Sequence, residues 1–407
     1  MARGDGAVVP SVDLTHVNLD AFARDVDALH ADLMADLGPR DIAHLKRMRR
    51  WSHACSLLGY GTAWIAPNPL SMFLISIGSV SAWITMHHVS HRGYDKVPGM
   101  PKQLTSRVYA QGWRRYIDWF DWMLPEAWAH EHNHLHHPHT GQEADPDLVE
   151  RNAFFLREAR IPKPFKWVAL LLGMMTWRFA YYVPNTIREL HRARRRRAGN
   201  PDGASPEETF RQLYDVKNPE GRAQWQALLD PRTPEGADLW TKCLLPYALI
   251  RFVLIPAAFL PLGAAAAAYV LINSVVAEAL MNMHSFAVIV PNHTGDDIPR
   301  FEGPARHGKG EFYLRQVVGS ANFHGGTDIT DFLQGYLNYQ IEHHVWPDLP
   351  MLKYREAQPR LEAICRAHRV PYVKHNVFWR MWKTAEVIVG RSTTPYAVIA
   401  PLRTPLQ

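Results

Sequence analysis

Six histidines crowd the stretch Trp128 to Asp147, WAHEHNHLHHPHTGQEADPD: His130, His132, His134, His136, His137 and His139. The chain has 22 histidines in 407 residues, so this density needs a cause. Imidazole is the commonest protein ligand for transition metals and the usual group for proton transfer near neutral pH. On an α-helix His132 and His136, four residues apart, share a face, and His137 sits one step round from His136. The H-x3-HH triplet therefore aims three imidazoles at one small volume. A solvated polar loop would account for this stretch taken alone, but two more clusters speak against it.

His87-His88-Val89-Ser90-His91 holds a second i, i+4 pair, His87 and His91. Asn338-Tyr339-Gln340-Ile341-Glu342-His343-His344 holds the third group, His343 and His344. His284 and His293 are further candidates. A single zinc ion needs three or four ligands, so seven well-spaced imidazoles fit two metal ions better. Nitrogen-rich ligation with few carboxylates suits iron among the redox metals. His88, His130, His134 and His139 are left over as solvated or supporting groups. Asp145 and Asp147, in ADPDL, are placed either to orient ligating imidazoles through their free N–H groups or to cap a turn.

Long apolar runs must position these clusters. Residues 54–66 and 68–86 read as two helices broken by Pro67-Asn68-Pro69, and the second leads straight into His87. Residues 243–290 are long enough for two more spans, with a break at Pro256, Pro261 and Gly263. Two such hairpins return the chain to one side each time, so all three clusters can meet at one membrane face. The run Trp167 to Val183 has basic residues at both ends, which predicts an interfacial or re-entrant helix. The arginine run Arg194 to Arg197 reads as a topology signal on a solvated face. The tryptophan-rich segment 113–124 has interfacial composition. The fold class expected is all-α integral membrane: two transmembrane helical hairpins with a cytosolic helical cap carrying the histidine clusters.

Outside the membrane unit, assigned to 51–350, residues 1–50 form an N-terminal helical cytosolic segment and 351–407 a C-terminal one. Residues 1–17 read as weakly ordered. Asn18 then caps a helix whose Leu19, Phe22, Val26, Leu29, Leu33 and Leu37 form one apolar stripe, expected to pack on the protein. A polar, cytosolic insertion is expected within 185–242, most clearly at 198–240. No cleavable signal peptide is visible in residues 1–40. Cys55, Cys243 and Cys365 lie far apart, with no CxxC pair, against a zinc ribbon or iron–sulfur module. The net charge of +6 suits an anionic membrane surface; no nucleic-acid motif accompanies it.

In this order, HHVSH, HNHLHH and QIEHH with membrane hairpins between, the chain resembles the integral-membrane fatty acid desaturase family. The resemblance covers about residues 54–350, and LNYQIEHHVWP is its most specific match. It implies a di-iron centre that activates O2 and removes hydrogens from an acyl chain. The implied ligands are His87, His91, His132, His136, His137, His343 and His344, with His293 as the histidine after the last span and His284 as second choice. Gln340 stands where some members have another histidine, and His88 where many have aspartate. The substrate implied is an acyl lipid or acyl thioester drawn from among membrane lipids. With no HPGG haem motif in the sequence, electrons are expected from a separate ferredoxin or cytochrome b5 type protein.

Three rival readings remain open at the level of sequence. A hydroxylase or ketolase of the same superfamily would share every cluster. His130-Glu131-His132-Asn133-His134 also matches H-E-x-x-H, the zinc metalloprotease motif, but leaves the other clusters unexplained. A metal carrier would place its ligands within the spans. The basic flanks and paired spans predict that both termini and all three clusters lie in the cytoplasm. Reporter fusions at residues 120, 215 and 330 should all report the cytoplasmic side. An external signal at 215 alone would show that 167–183 crosses.

Overall fold

Asn18 starts the first helix as its side chain predicts: its Oδ1 accepts from Ala21 N at 3.1 Å at the head of α1, Leu19–Ala35. In this computed structural model, which describes residues 10–199 and 225–399, Phe22, Val26, Leu29 and Leu33 of the α1 stripe are buried. They pack on the protein, against Gly308–Val318 and Met351–Ala367. The expectations for residues 1–9 and 200–224 lie outside the described residues.

α2, Pro39–Ala63, begins well before residue 54, because Lys46–Arg50 continue the helix rather than precede it. After a turn comes α3, Pro69–Ser90, capped by Asn68, whose Oδ1 accepts from Ser71 N at 2.8 Å. The two run antiparallel: Ser52 Oγ donates to Gly78 O, and the Thr62 and Ser71 hydroxyls meet, both at 2.8 Å. Glycine permits this closeness. A Cβ on Gly59 would lie 2.7 Å from Ile75 Cγ1, and one on Gly78 2.9 Å from Ser52 O.

The central histidine stretch forms α4: Pro125–Glu131 runs through a π-helical turn, His132–His136, into His137–His139. α5, Lys163–Trp177, passes through a second π turn, Arg178–Tyr182, into α6, Val183–Arg197. In the run Arg194–Arg197, Arg194, Arg196 and Arg197 are exposed, as a solvated face requires, while the arginines before it are not. Arg188 and Arg192 are buried, Arg194 pairs with Asp238 at 3.2 Å, and Arg195 pairs with Glu235. α7, Trp225–Leu262, begins inside the polar insertion and ends at Gly263, whose φ of 109° turns the chain into α8, Ala264–Ile289.

Among the described residues, three runs are long and apolar enough to cross a membrane: Pro69–Ser90, Trp225–Leu262 and Ala264–Asn292. α2, expected as the first arm of a hairpin, is not one of them, since charged residues fill much of its first half. α5 is not one either. α8 lies beside α3 and α5. Its Asn273 satisfies the α2–α3 turn, accepting from Asn68 N at 3.0 Å and donating to Ala63 O at 2.8 Å and Ala66 O at 3.0 Å. Glu278, also on α8, accepts from Trp122 Nε1 and Tyr247 OH, each at 2.7 Å. Buried Arg178 pairs with Asp121 and lies 4.5 Å over the ring of Trp83. These contacts tie the candidate spans to the segment that leads into α4.

α9, Gly308–Val318, α10, Gln340–Val345, α11, Met351–Ala367, and α12, Val377–Ile388, follow, with a short helix at Asp328–Leu333 between α9 and α10. An entirely α fold was expected; four short strands depart from it. β1, Ser11–Asp13, and β4, Tyr396–Val398, pair in parallel, as do β2, Ala321–Phe323, and β3, Val373–His375. The β1–β4 pair gives order to residues 11–13, in a segment expected to be weakly ordered, and fixes it beside the C-terminal strand. Gly59→Leu should wedge α2 from α3 at a cost of about 1–3 kcal/mol, the usual range for overpacking. A thermal unfolding scan in detergent should show a lower midpoint; an unchanged midpoint would mean that the glycine contact does not hold the pair.

Candidate metal centre

Four separate segments deliver the imidazoles. His87 lies on the last turn of α3 and His91 caps it; α4 carries the second cluster; His343 and His344 lie on α10; His293 follows the end of α8. The π turn in α4 changes the geometry expected from an α-helix. A π turn closes at five residues, so His137 returns beside His132, with their Nε2 atoms 3.1 Å apart. His136 is turned to a second set.

The structure thus brings together two sets. Nitrogens of His87, His91, His132, His137 and His343 lie within 4.8 Å of one another, and so do those of His136, His293 and His344. A third set overlaps them: His132, His136 and the Asp147 carboxylate. His87 Nε2 is 2.8 Å from His343 Nε2 and 3.1 Å from His132 Nε2. When two neutral imidazoles meet nitrogen to nitrogen, only one can donate, so lone pairs remain facing a shared centre. His91 Nε2 and His344 Nε2 are buried with no hydrogen-bond partner among the described residues. Burial, reinforced by the neighbouring rings, holds His91, His132, His137, His343 and His344 well below the ordinary imidazole pKa. They are neutral at pH 7, the form that ligates metal. The donor set fits transition-metal ions bound through nitrogen.

Other hydrogen bonds fix the rings from behind. His136 Nδ1 meets Asp145 Oδ1 at 2.8 Å. Burial opposes charge on His136, but Asp145 outweighs it and raises the pKa. Asp145 is itself held by Gly141 N at 3.0 Å and Asp147 N at 2.9 Å. Asp147 stands farther off, 3.8 Å from His136 Nδ1. His344 Nδ1 lies 3.0 Å from Gln316 Oε1, His343 Nδ1 3.2 Å from Tyr354 OH, and His293 Nδ1 3.0 Å from Gly319 O. Such partners select the tautomer that turns Nε2 inward.

The remaining candidates separate clearly. His88 donates through Nε2 to Gly335 O at 3.0 Å, and His284 to Leu333 O at 2.7 Å; neither belongs to a close set. Gln340 Nε2 sits 2.9 Å from His293 Nε2, and its Oε1 is buried without a partner among the described residues. Turning the amide over would present that oxygen to the second set. His130 and His134, the pair required by a zinc protease, have ring centroids 5.8 Å apart and join no close set; His134 is exposed. Glu131 is buried, and burial, then the Asp147 and Glu189 carboxylates, push it well above the usual carboxylate range. Burial likewise raises Asp147 to about 6.

An apolar cavity of about 530 Å3 opens onto both sets. His87, His132, His136, His293, Gln340 and Asp147 line its inner end. Trp83, Leu170, Met174, Trp177, Phe286 and Ile388 wall the rest. Sequence reasoning missed Tyr354, Gln316 and Trp128, whose ring stacks 4.5 Å from that of His132. None carries a local signal, because each partner is fixed only by tertiary contact.

Removing a ligand should cost metal and activity together. His136→Ala should therefore lose bound metal, whereas exposed His134→Ala should keep it. Glu131→Gln should keep it too, because the buried carboxyl is already favoured in its neutral form. Asp145→Asn should lower metal affinity about 10–100-fold, the usual effect of losing an orienting group. Metal analysis of the purified variants checks all four; a metal-free Glu131→Gln beside a metal-replete His136→Ala would revive the protease reading.

Comparison with known proteins follows the same lines. The NADPH-dependent stearoyl-CoA 9-desaturase of Mycobacterium tuberculosis is 24% identical over 91% of this chain and 80% of its own length. The Delta(8)-fatty-acid desaturase of Euglena gracilis is 36% identical over 21% of this chain and 19% of its own. Fatty acid desaturase 3 of Bos taurus is 34% identical over 24% and 20%. The sequence profile described as Fatty acid desaturase matches residues 62–376, most of the chain and all three histidine clusters, and the chain belongs to that family.

Proposed function

We propose that the chain is an O2-dependent membrane oxidoreductase that places a double bond in an acyl chain lying in the apolar cavity. The observation that carries this reading is the opening of two imidazole sets onto the inner end of one apolar cavity. An alkyl C–H bond has no polarity for acid–base catalysis to exploit, so a redox centre must do the work. Two iron ions, when bound, would supply the oxidising power to remove hydrogen from an unactivated carbon. His87, His91, His132, His137 and His343 would hold one ion, and His136, His293 and His344 the other, with Gln340 beside the second.

The chain's own residues do the rest. Trp83, Leu170, Met174 and Phe286 bind the alkyl chain and exclude water. Asp145, Gln316 and Tyr354 hold the ligating rings in one orientation. Two hydrogens leave adjacent carbons; with two further electrons and two protons, one O2 becomes two waters. The electrons come from a separate donor, of ferredoxin or cytochrome b5 type. The M. tuberculosis relative is named for stearoyl-CoA and NADPH, which supports an acyl thioester as substrate and NADPH as the source of reducing power behind that donor.

Residues 51–350 form the membrane unit in this reading, with both termini and the histidine clusters at the cytoplasmic face. The basic residues Lys46–Arg50 and Arg194–Arg197 support that orientation. The test is expression in a host of defined lipid composition, followed by mass spectrometry of its fatty acids and metal analysis of the purified chain. New unsaturation and close to two irons per chain are expected. New hydroxyl groups without unsaturation would make it a hydroxylase, and one zinc without iron would defeat the reading.

A further inference from the structure

The first two turns of α12 are built inside out, ahead of a last turn that buries Val387 and Ile388. Its inner face carries Arg380 and Thr384, both 0% exposed, while Phe378, Trp379 and Trp382 are 80%, 45% and 45% exposed. A helix at a water-facing surface hides its aromatics and shows its charges. Here the charge is the buried group, and it is fully engaged. Arg380 donates through Nη1 to Asp297 Oδ1 at 2.6 Å, and through Nη2 to Thr294 O at 2.8 Å and Pro291 O at 3.2 Å. Thr384 Oγ1 donates to Thr294 O at 3.2 Å. Lys383 reaches sideways to Asp296 and Asp297, at the edge of the aromatic face.

That outward face is continuous with another. Trp382 stacks on Trp167 of α5, with ring centroids 5.3 Å apart and planes 19° apart. Beyond Trp167, α5 presents Phe165, Val168 and Leu172, all exposed, and α5 packs against the candidate span α8. The cavity lies directly behind both helices: Leu170 and Met174 of α5 and Ile388 of α12 line it.

We infer that α12 lies in the plane of the membrane with Phe378, Trp379 and Trp382 among the lipids, and that α12 and α5 together form the lipid-facing wall of the acyl cavity. Exposed tryptophans with a lysine at their edge are the composition of a membrane interface. Continuity with the apolar face of α5, itself held on a candidate span, selects lipid as the occupant over a second copy or a soluble partner. The inference deepens the proposed function, because it names the side from which an acyl chain is taken up: laterally, from the bilayer. It also sets the residues after 350 partly in the membrane rather than wholly in a cytosolic segment. Arg380 then links that helix to the loop bearing His293, so the wall and one set of imidazoles are positioned by the same side chain.

The test reads depth, not turnover, so it is independent of the desaturation reading. Phe378→Cys and, separately, Trp379→Cys are made in a full-length Cys55→Ser background; Cys243 and Cys365 are buried. Each is spin-labelled and reconstituted in phosphatidylcholine–phosphatidylglycerol vesicles, with Arg366→Cys on α11, whose side chain is 79% exposed, as the aqueous reference. Relaxation by O2 should exceed relaxation by a water-soluble nickel chelate at 378 and 379, and the order should reverse at 366. Nickel contact at 378 and 379 matching that at 366 would overturn the inference. Protection from both reagents with spin–spin broadening would overturn it too, and would make the face a contact between copies of the chain.

Discussion

Eight imidazole rings packed in one buried place are costly unless something accepts their lone pairs. A buried nitrogen without a partner loses its hydration and receives nothing in return, at about 1–3 kcal/mol for each such group. His87, His132, His137 and His343 meet nitrogen to nitrogen, so hydrogen bonds among themselves cannot satisfy every ring. Metal ions held between the two sets would satisfy the rings together, and their binding energy would then become folding energy. α3, α4, α10 and the end of α8 are far apart in the chain, His87 and His343 by 256 residues, and this requirement would hold them in register.

The register depends in turn on groups with no chemistry of their own. Asp145, Gln316, Tyr354 and the Gly319 carbonyl each engage an Nδ1 and leave Nε2 facing inward. Gln316 also donates through Nε2 to His137 O at 3.1 Å, so one side chain on α9 steadies both α4 and α10. The strand pair β2–β3 and the Arg380 contacts hold the flanking segments. Positioning is thus shared by residues on α9, α11, α12 and the strand pairs, outside the imidazole sets themselves.

Much of this was legible in the sequence, and what was not has physical reasons. The histidine clusters announce themselves by density and i, i+4 spacing, Asn18 caps the helix that it precedes, and Pro67-Asn68-Pro69 marks the α2–α3 turn. The π turn at His132–His136 did not show, because local spacing assumes 3.6 residues per turn and only tertiary contact can stabilise the wider one. His293 was preferred to His284 on its place after the last span; the structure joins His293 to His136 and His344, and ties His284 to a backbone carbonyl. Which face of α12 points inward is not legible, since only tertiary contact shows that Arg380 and Thr384 are buried and Phe378 is exposed. Glu278 is legible from sequence alone, because a carboxylate inside an apolar helix marks a site where something must pair with it.

One rule connects Glu278, Arg178 and Arg380. Each charged group is buried and engaged, while apolar side chains such as Leu57, Leu171, Val275 and Phe378 face outward. In water that arrangement would expose apolar surface and gain nothing for it. In lipid the sign changes: outward apolar groups cost nothing, and a polar group is tolerated only when the protein itself supplies its partner. Trp122 and Tyr247 do this for Glu278, Asp121 for Arg178, and the 291–297 loop for Arg380. Because Trp122 and Asp121 lie on the segment before α4 and the 291–297 loop follows α8, satisfying the buried charges also helps to fix where the second histidine cluster and His293 stand. The polar groups that a membrane forces inward therefore locate the imidazole sets beside a cavity whose walls the same membrane keeps apolar.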